Sequence, residues 1–366
     1  MATKKHGISL DLLIHPGETI ADLIEERGLT QKELAQRAGV SEAFLSDVIH
    51  GKKDISKSLA MGLEYALGIP TSFWLNLQAN YDSELMSLQE EESIQEEERS
   101  VLMVIHEVVG FLRRTGTLPD ESSQEQTIIS LRKHFRVSSL SDLGKLAPTG
   151  AFRMSDKTPV DPFILGAWLC ICKAQNDNKH LSTGFDPTSV DALVSGIKEI
   201  MCSTKGDPQR PLIALFAQYG IDFSVVHNFR GAPVHGYIAR KEDGTYQMVL
   251  TIRGAFADIF WFSLFHELGH IVNGDLIKSG SFIDADYSKD NTMEIAADRF
   301  ASEALLDPAS YKKFVEKRSF SYSAIEAYSR EQRVPPYVVI GRLQKEGIIP
   351  WSRFAKNKPR YKWAEA

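Results

Sequence analysis

Apolar residues recur three and four apart in several stretches of the chain, the spacing that turns one face of a helix into a core. Phe44, Leu45, Val48 and Ile49 follow this rule behind Ser41. Phe256, Ile259, Phe260 and Leu264 follow it ahead of Asn273-Gly274, a helix stop. Met293 to Ala301 reads as another helix, with Glu294 and Asp298 on one face and Ala297 and Ala301 small enough for close packing. The period changes between Gly236 and Ile252: Gly236 to Ala239 and Tyr246 to Ile252 flank an Asp243-Gly244 turn, a hairpin pattern. The expected fold is mainly α with a small β-sheet, an α+β chain. Trp168, Leu169, Cys170 and Cys172 lie in an apolar run, where cysteines act as small core residues. The richest apolar stretch, Ala255 to Phe265, is too short for a membrane span and is interrupted by Asp258 and Ser263, so no membrane partner is expected.

Residues 8–82 divide into short helices with explicit stops. His15-Pro16-Gly17-Glu18 opens the first, with proline near its start and an acid in its first turn, and Gly28 closes it. Thr30-Gln31-Lys32-Glu33 is a capping box, in which hydroxyl and carboxylate satisfy the free amides of the helix start. That helix stops at Gly39, and the one capped by Ser41 stops at Gly51. Two short helices joined by a tight glycine turn form a helix-turn-helix pattern. Leu34, Val40, Leu45 and Leu63 are its expected core, with Ala35 allowing close approach.

Composition changes this picture little. At 366 residues, 43% hydrophobic and 25% charged, the chain excludes collagen, a disulfide scaffold and full disorder. Three cysteines fit a reducing cytoplasm, and Met1 to Leu10 lacks the apolar core of a signal peptide, so a cytoplasmic location is expected. The net charge is −6. Seven acids and no base fall within residues 84–98, and eight bases against two acids within 333–366. The first run reads as an acidic linker or exposed helix and the second as a basic tail. The expected division is 1–82, a helix-turn-helix domain; 83–146, an acidic helical linker; and 147–366, a second domain ending in the tail.

The first domain resembles the XRE-type helix-turn-helix proteins, and more closely the HigA-type antitoxins. The resemblance is carried by His15-Pro16-Gly17-Glu18, Leu29-Thr30-Gln31-Lys32-Glu33-Leu34-Ala35 and Ser72-Phe73-Trp74-Leu75-Asn76-Leu77-Gln78. It implies a phosphate contact near Gln31 and a recognition helix from Ser41 to Ile49 in the major groove of an operator. The chain departs from the family in placing Glu42, Ala43 and Phe44, then Asp47, where relatives often carry arginine. Residues 1–80 hold eight bases and ten acids, so non-specific attraction to DNA should be weak, and specific binding should need a homodimer. Lys52, Lys53 and Lys57 are candidate phosphate contacts. Ser41, Glu42 and Ser46 are candidate groove residues, a carboxylate there being able to accept from cytosine N4.

The chemistry-bearing stretch is His266-Glu267-Leu268-Gly269-His270. On a helix, His266 and His270 offer two imidazoles to one ion, with Glu267 beside the open position as general base. Glu294 is the candidate third ligand, and Asp298 the candidate acceptor for the free ring N–H of a ligating histidine. Two imidazoles and a carboxylate suit Zn2+, with Mn2+ the alternative. His235, Tyr237 and Arg253, flanking the hairpin, are candidate oxyanion donors. The hairpin itself is a candidate edge for an extended substrate. Asp284, Asp286 and Asp290 read as a solvated loop between the metal helices, or a lid over them.

Phe260-Trp261-Phe262 leading into that motif, Glu294 and Asp298-Arg299-Phe300-Ala301 after it, and Val338-Val339-Ile340-Gly341-Arg342-Leu343-Gln344 near the end resemble the ImmA/IrrE metallopeptidases over residues 147–363. The resemblance implies a minimal zincin-like fold, and cleavage of a protein substrate such as a helix-turn-helix repressor. Ala296 departs from the second glutamate that relatives often carry. Two functions are therefore expected of the chain. One is a regulator with a zinc-dependent endopeptidase domain acting in stress, phage or toxin–antitoxin control. The other is a HigA-like antitoxin or repressor that binds operator DNA and a cognate toxin, using the metal domain for docking.

Overall fold

The computed structural model describes residues 13–120, 122–147, 159–174, 181, 183–203, 206–276, 281–285 and 292–363. These divide into two compact units: residues up to Glu96 together with Ser123–Ile129, and Glu97–Ser122 together with Ser130 onward. Mainly α structure with a small sheet is what the chain adopts.

The first unit is built on α1 (Pro16–Glu26), α2 (Gln31–Ala38), α3 (Glu42–Ile49), α4 (Lys57–Leu67) and α5 (Thr71–Glu92). Local chemistry sets the boundaries. The His15 ring accepts from the Gly17 amide at 2.9 Å, Thr30 Oγ1 from Glu33 at 3.2 Å, and Ser41 Oγ from Phe44 at 3.1 Å. Each satisfies an amide that the helix start leaves without an intrahelical partner. The carboxylate of Glu33 turns to Arg37 one turn on, at 3.2 Å, and so does not complete the expected capping box. Gly39, in the left-handed region at φ 72, ends α2 and sets up the turn into α3. Ile20, Leu34, Leu45, Val48, Leu59, Leu63 and Trp74 fill the core, with Ala35 at the helix contact; Val40 is only half-buried at its margin.

The acidic run is helical, as one of its two expected readings had it, and the boundary between the two units, Glu96 to Glu97, falls within it. Its first part continues α5 as far as Glu92. Its last member, Glu98, is buried on α6 (Glu96–Val104), paired with Arg132 and accepting from the Leu140 amide at 2.8 Å. Burial works against its charge, but those partners prevail and hold its carboxyl below the usual range.

The helices continue as α7 (His106–Arg114), α8 (Gln124–Phe135), α9 (Leu143–Leu146), α10 (Pro162–Ala174), α11 (Val190–Ser203) and α12 (Gln209–Gln218). The sheet comprises β1 (Ile221–Val225), β2 (Val234–Arg240), β3 (Tyr246–Leu250) and β4 (Ser281–Ala285), in the order β1-β3-β2-β4. β1 runs parallel to β3, and β2 lies antiparallel to both β3 and β4. The hairpin is where the sequence placed it, with Gly244 at φ 82 in its turn. Both of its strands are interior, however. β4, in the segment expected to be a loop, pairs with β2 and takes the edge expected to receive a substrate. Asp284 thus lies in a strand; Asp286 and Asp290 lie outside the described residues.

Behind the sheet come α13 (Ala257–Val272), α14 (Thr292–Leu305), α15 (Pro308–Glu316), α16 (Tyr322–Gln332) and α17 (Pro336–Lys345). Trp261, Leu264, Phe265 and Leu268 on α13 share a core with Phe223, Ile238, Met248 and Leu343. Cys170 and Cys172 are buried on α10, where burial raises both thiols, to about 11 for Cys170. The basic end is not a tail. Tyr361 donates its amide to Ala255 at 2.7 Å, and Ala257 donates to Pro359 at 2.9 Å. Lys358, 7% exposed, forms a 2.6 Å ion pair with Asp258 at the start of α13. Among the described residues, no helix is long and apolar enough to cross a membrane.

Candidate functional site

The i, i+4 spacing on α13 places His266 and His270 on one face, buried, with ring centroids 4.8 Å apart. α14 crosses this face closely because Gly269 carries no side chain. A Cβ there would meet Ala297 Cα at 3.0 Å, and Ala297 and Ala301 are fully buried. The crossing delivers Glu294: its carboxylate oxygens lie 3.1 Å from His266 Nε2 and 3.6 Å from His270 Nε2, and the two Nε2 atoms are 3.2 Å apart.

The far side of each ring is also engaged. His266 Nδ1 meets Asp298 Oδ1 at 2.9 Å, and His270 Nδ1 meets Asp275 Oδ2 at 2.7 Å. If each Nδ1 donates its hydrogen to a carboxylate, the neutral rings turn two Nε2 lone pairs toward each other and toward Glu294. Such a convergence of acceptors is repulsive without a cation among them. Ligands about 2.0–2.1 Å from a tetrahedral zinc lie about 3.3–3.4 Å apart, and the three observed separations bracket that value. His266, His270 and Glu294 are thus able to hold a metal ion, their donor atoms all lying within 4.8 Å of one another.

The charges follow the same geometry. With the rings protonated and no ion present, both Nε2 atoms instead donate toward Glu294: burial opposes its ionisation, yet those bonds win and lower its carboxyl to about 2. Asp298 is likewise lowered: burial raises it, but the bond to His266 and the charge of Lys345, at 3.6 Å, outweigh burial. Glu267 is fully buried under β2. The backbone of Gly236 lies so close that a Cβ there would overlap the Glu267 carboxylate.

Each of the expected oxyanion donors has partners of its own. Side chains alternate across a strand, so Tyr237 faces away from the side on which Gly236 meets Glu267. It packs edge-on against Trp168 at 6.4 Å, with burial raising its hydroxyl to about 12. His235 and Arg253 lie 3.0 Å from each other, and Arg253 also donates to the carbonyl of Pro233 at 2.9 Å. Sequence reasoning missed Asp275 and Gly236. For Asp275 a signal existed: the Asn273-Gly274 stop folds the chain back, and the Asp275 amide bonds the His270 carbonyl at 3.1 Å.

In the first unit, Ser41, Glu42, Lys52, Lys53 and Lys57 are exposed, and Gln31 and Ser46 half-buried. Lys53 is not a free cation: it pairs with Asp47 at 2.9 Å and lies over the Phe44 ring at 5.4 Å. Ser46 Oγ lies 3.4 Å from His50 Nδ1. Buried Gln78 accepts from the Ile55 amide at 2.9 Å, fixing the segment that follows the lysines.

Residues 20–74 match the family model described as a helix-turn-helix. The N-terminal unit carries a helix-turn-helix domain. A curated relative, virulence-associated protein A' of Dichelobacter nodosus, is 39% identical over 69 residues, 19% of this chain and 60% of the relative's length. Among solved structures, the chain is similar to the antitoxin GraA (28% identity, 23% of this chain and 95% of that one, TM-score 0.21). It is also similar to the Pseudomonas aeruginosa antitoxin HigA solved with the higBA promoter (27% identity, 23% and 97%, TM-score 0.21).

Proposed function

We propose that the chain is a helix-turn-helix transcriptional regulator whose larger unit is a zinc-dependent endopeptidase of the ImmA/IrrE kind, cutting a regulatory protein such as a helix-turn-helix repressor. The observation that carries this reading is the convergence of His266 Nε2, His270 Nε2 and Glu294, each ring anchored by a carboxylate, with Glu267 on the next position of the same helix. When bound, the ion supplies a Lewis acid that lowers the pKa of water at the site. His266, His270 and Glu294 would hold it, with Asp298 and Asp275 fixing the tautomer and aim of the two rings. Glu267 takes the proton from the attacking water and returns it to the leaving amine. Its burial beneath Gly236 keeps bulk water from the carboxylate.

The helix-turn-helix domain supports operator binding through α3, with the protein acting as a homodimer on two half-sites. A second reading, a HigA-like antitoxin that binds operator and toxin and docks through the metal domain, is favoured by the Ser72 to Gln78 motif, whose Trp74 and Gln78 are buried in the first unit.

The test separates binding from chemistry. Glu267→Gln should retain metal and lose cleavage of co-encoded regulatory proteins. Cleavage by Glu267→Gln at the wild-type rate would remove the general-base role. A wild type that binds metal but cuts none of these proteins would favour the antitoxin reading.

A further inference from the structure

Away from the metal centre, the larger unit carries a surface whose charge runs against the chain's net of −6. Lys313 and Lys317 are one turn apart at the end of α15, and Arg318 follows; Arg353 and Lys356 lie on the segment after α17. All five are exposed. The two stretches are joined, since Arg353 Nη2 donates to the carbonyl of Phe320 at 2.6 Å, and the rings of Tyr322 and Phe354 lie 6.0 Å apart. Within 313–322 and 350–356 these five cations face one acid, Glu316.

Aromatic rings are set among the charges. Trp351 is 63% exposed and Tyr322 38%. The loop that presents Trp351 is held from below by buried Gln344, whose Nε2 donates to the carbonyls of Trp351 at 3.2 Å and Arg353 at 2.8 Å. Phe354 sits at φ 63, a left-handed conformation that a phenylalanine keeps only where its surroundings impose it. A strained, pinned loop thus displays a large flat ring to solvent beside exposed cations, with Lys358 Nζ 5.3 Å from the ring centroid.

We propose that this surface binds single-stranded nucleic acid, with the cations along the phosphates and the Trp351 and Tyr322 rings stacked on bases. An acidic protein segment would satisfy the charges but leave the rings unused. A duplex would hide the base faces that the rings need. The proposal does not depend on peptidase activity or on the helix-turn-helix domain.

The full-length protein is titrated into a labelled oligo-thymidine and, separately, a duplex and polyglutamate, at several salt concentrations. Oligo-thymidine should bind, more weakly as salt rises. Trp351→Ala should weaken it by roughly 5- to 150-fold, the measured range for one stacked base, and Trp351→Phe should restore most of that. Lys317→Glu with Lys356→Glu should weaken binding and flatten its salt dependence. No binding at low salt, or binding indifferent to both surface variants, would overturn the proposal. So would duplex or polyglutamate bound through these residues as tightly as the oligonucleotide, with Trp351→Ala neutral.

Discussion

Glu294 touches both imidazoles, and its acid–base behaviour reads that contact directly. In the metal-free protein at acid pH, where the two imidazoles are protonated, its carboxyl is lowered from an ordinary 4.5 to about 2, because burial is outweighed by the bonds from the two histidines. A carboxyl held low in the fold binds protons less readily than in the unfolded chain. Its contribution to stability is therefore fully present above about pH 4.5 and is lost as pH falls toward about 2. Glu294→Gln should flatten the acid limb of the stability curve, measured as melting temperature against pH in the presence of chelator. An unchanged acid limb would mean that Glu294 does not face charged imidazoles. His266, Glu267, His270, Glu294 and Asp298 were legible in the sequence because helical spacing puts each group on a known face. Asp275 reaches His270 around a turn, and Gly236 reaches Glu267 across the packing of sheet on helix. The first is signalled only by the Asn273-Gly274 stop, and the second leaves no local spacing in the sequence.

At the scale of elements, the start of α13 depends on the far end of the chain. Lys358 pairs with Asp258, donates to Gln344 at 3.0 Å, and is 7% exposed. Burial nevertheless raises the Asp258 carboxyl, so the pair balances desolvation against attraction. Removing one partner strands a buried charge, and Lys358→Met should destabilise the unit by about 3–5 kcal/mol. Adding Asp258→Asn should recover part of that loss, as read by denaturant unfolding. Equal stability of Lys358→Met and wild type would show the pair to be idle. The eight bases near the C-terminus were read as a tail because charge runs usually solvate. Pairing with a residue a hundred positions away leaves no local trace. The same holds for the sheet. The β2–β3 hairpin was visible from its Asp243-Gly244 turn, but β1 and β4 join it through long-range pairings, so its edges were not.

Across the whole molecule, a helix-turn-helix domain and a candidate metal centre share one chain. Helix caps and glycine stops marked out the helix-turn-helix domain, because those signals are local and Thr30, Gly39 and Ser41 satisfy them within a few residues. Its DNA-facing charge was less legible, since the Lys53–Asp47 pair depends on how the turn after α3 folds. In duplex binding, Lys52→Ala and Lys57→Ala should each lower the salt slope by about one unit, the loss of one phosphate contact. Lys53→Ala should lower it less, because its charge is already engaged. Equal slopes for all three variants would contradict the assignment.

The central claim is that His266, His270 and Glu294 form one metal centre, and the metal content of the purified protein tests it most directly. Elemental analysis after exhaustive dialysis should find about one zinc, or manganese, per chain in the wild type. It should find none in the double mutant His266→Ala with His270→Ala, and an undiminished amount in Glu267→Gln. A wild type without metal, or a double mutant that keeps it, would contradict the account.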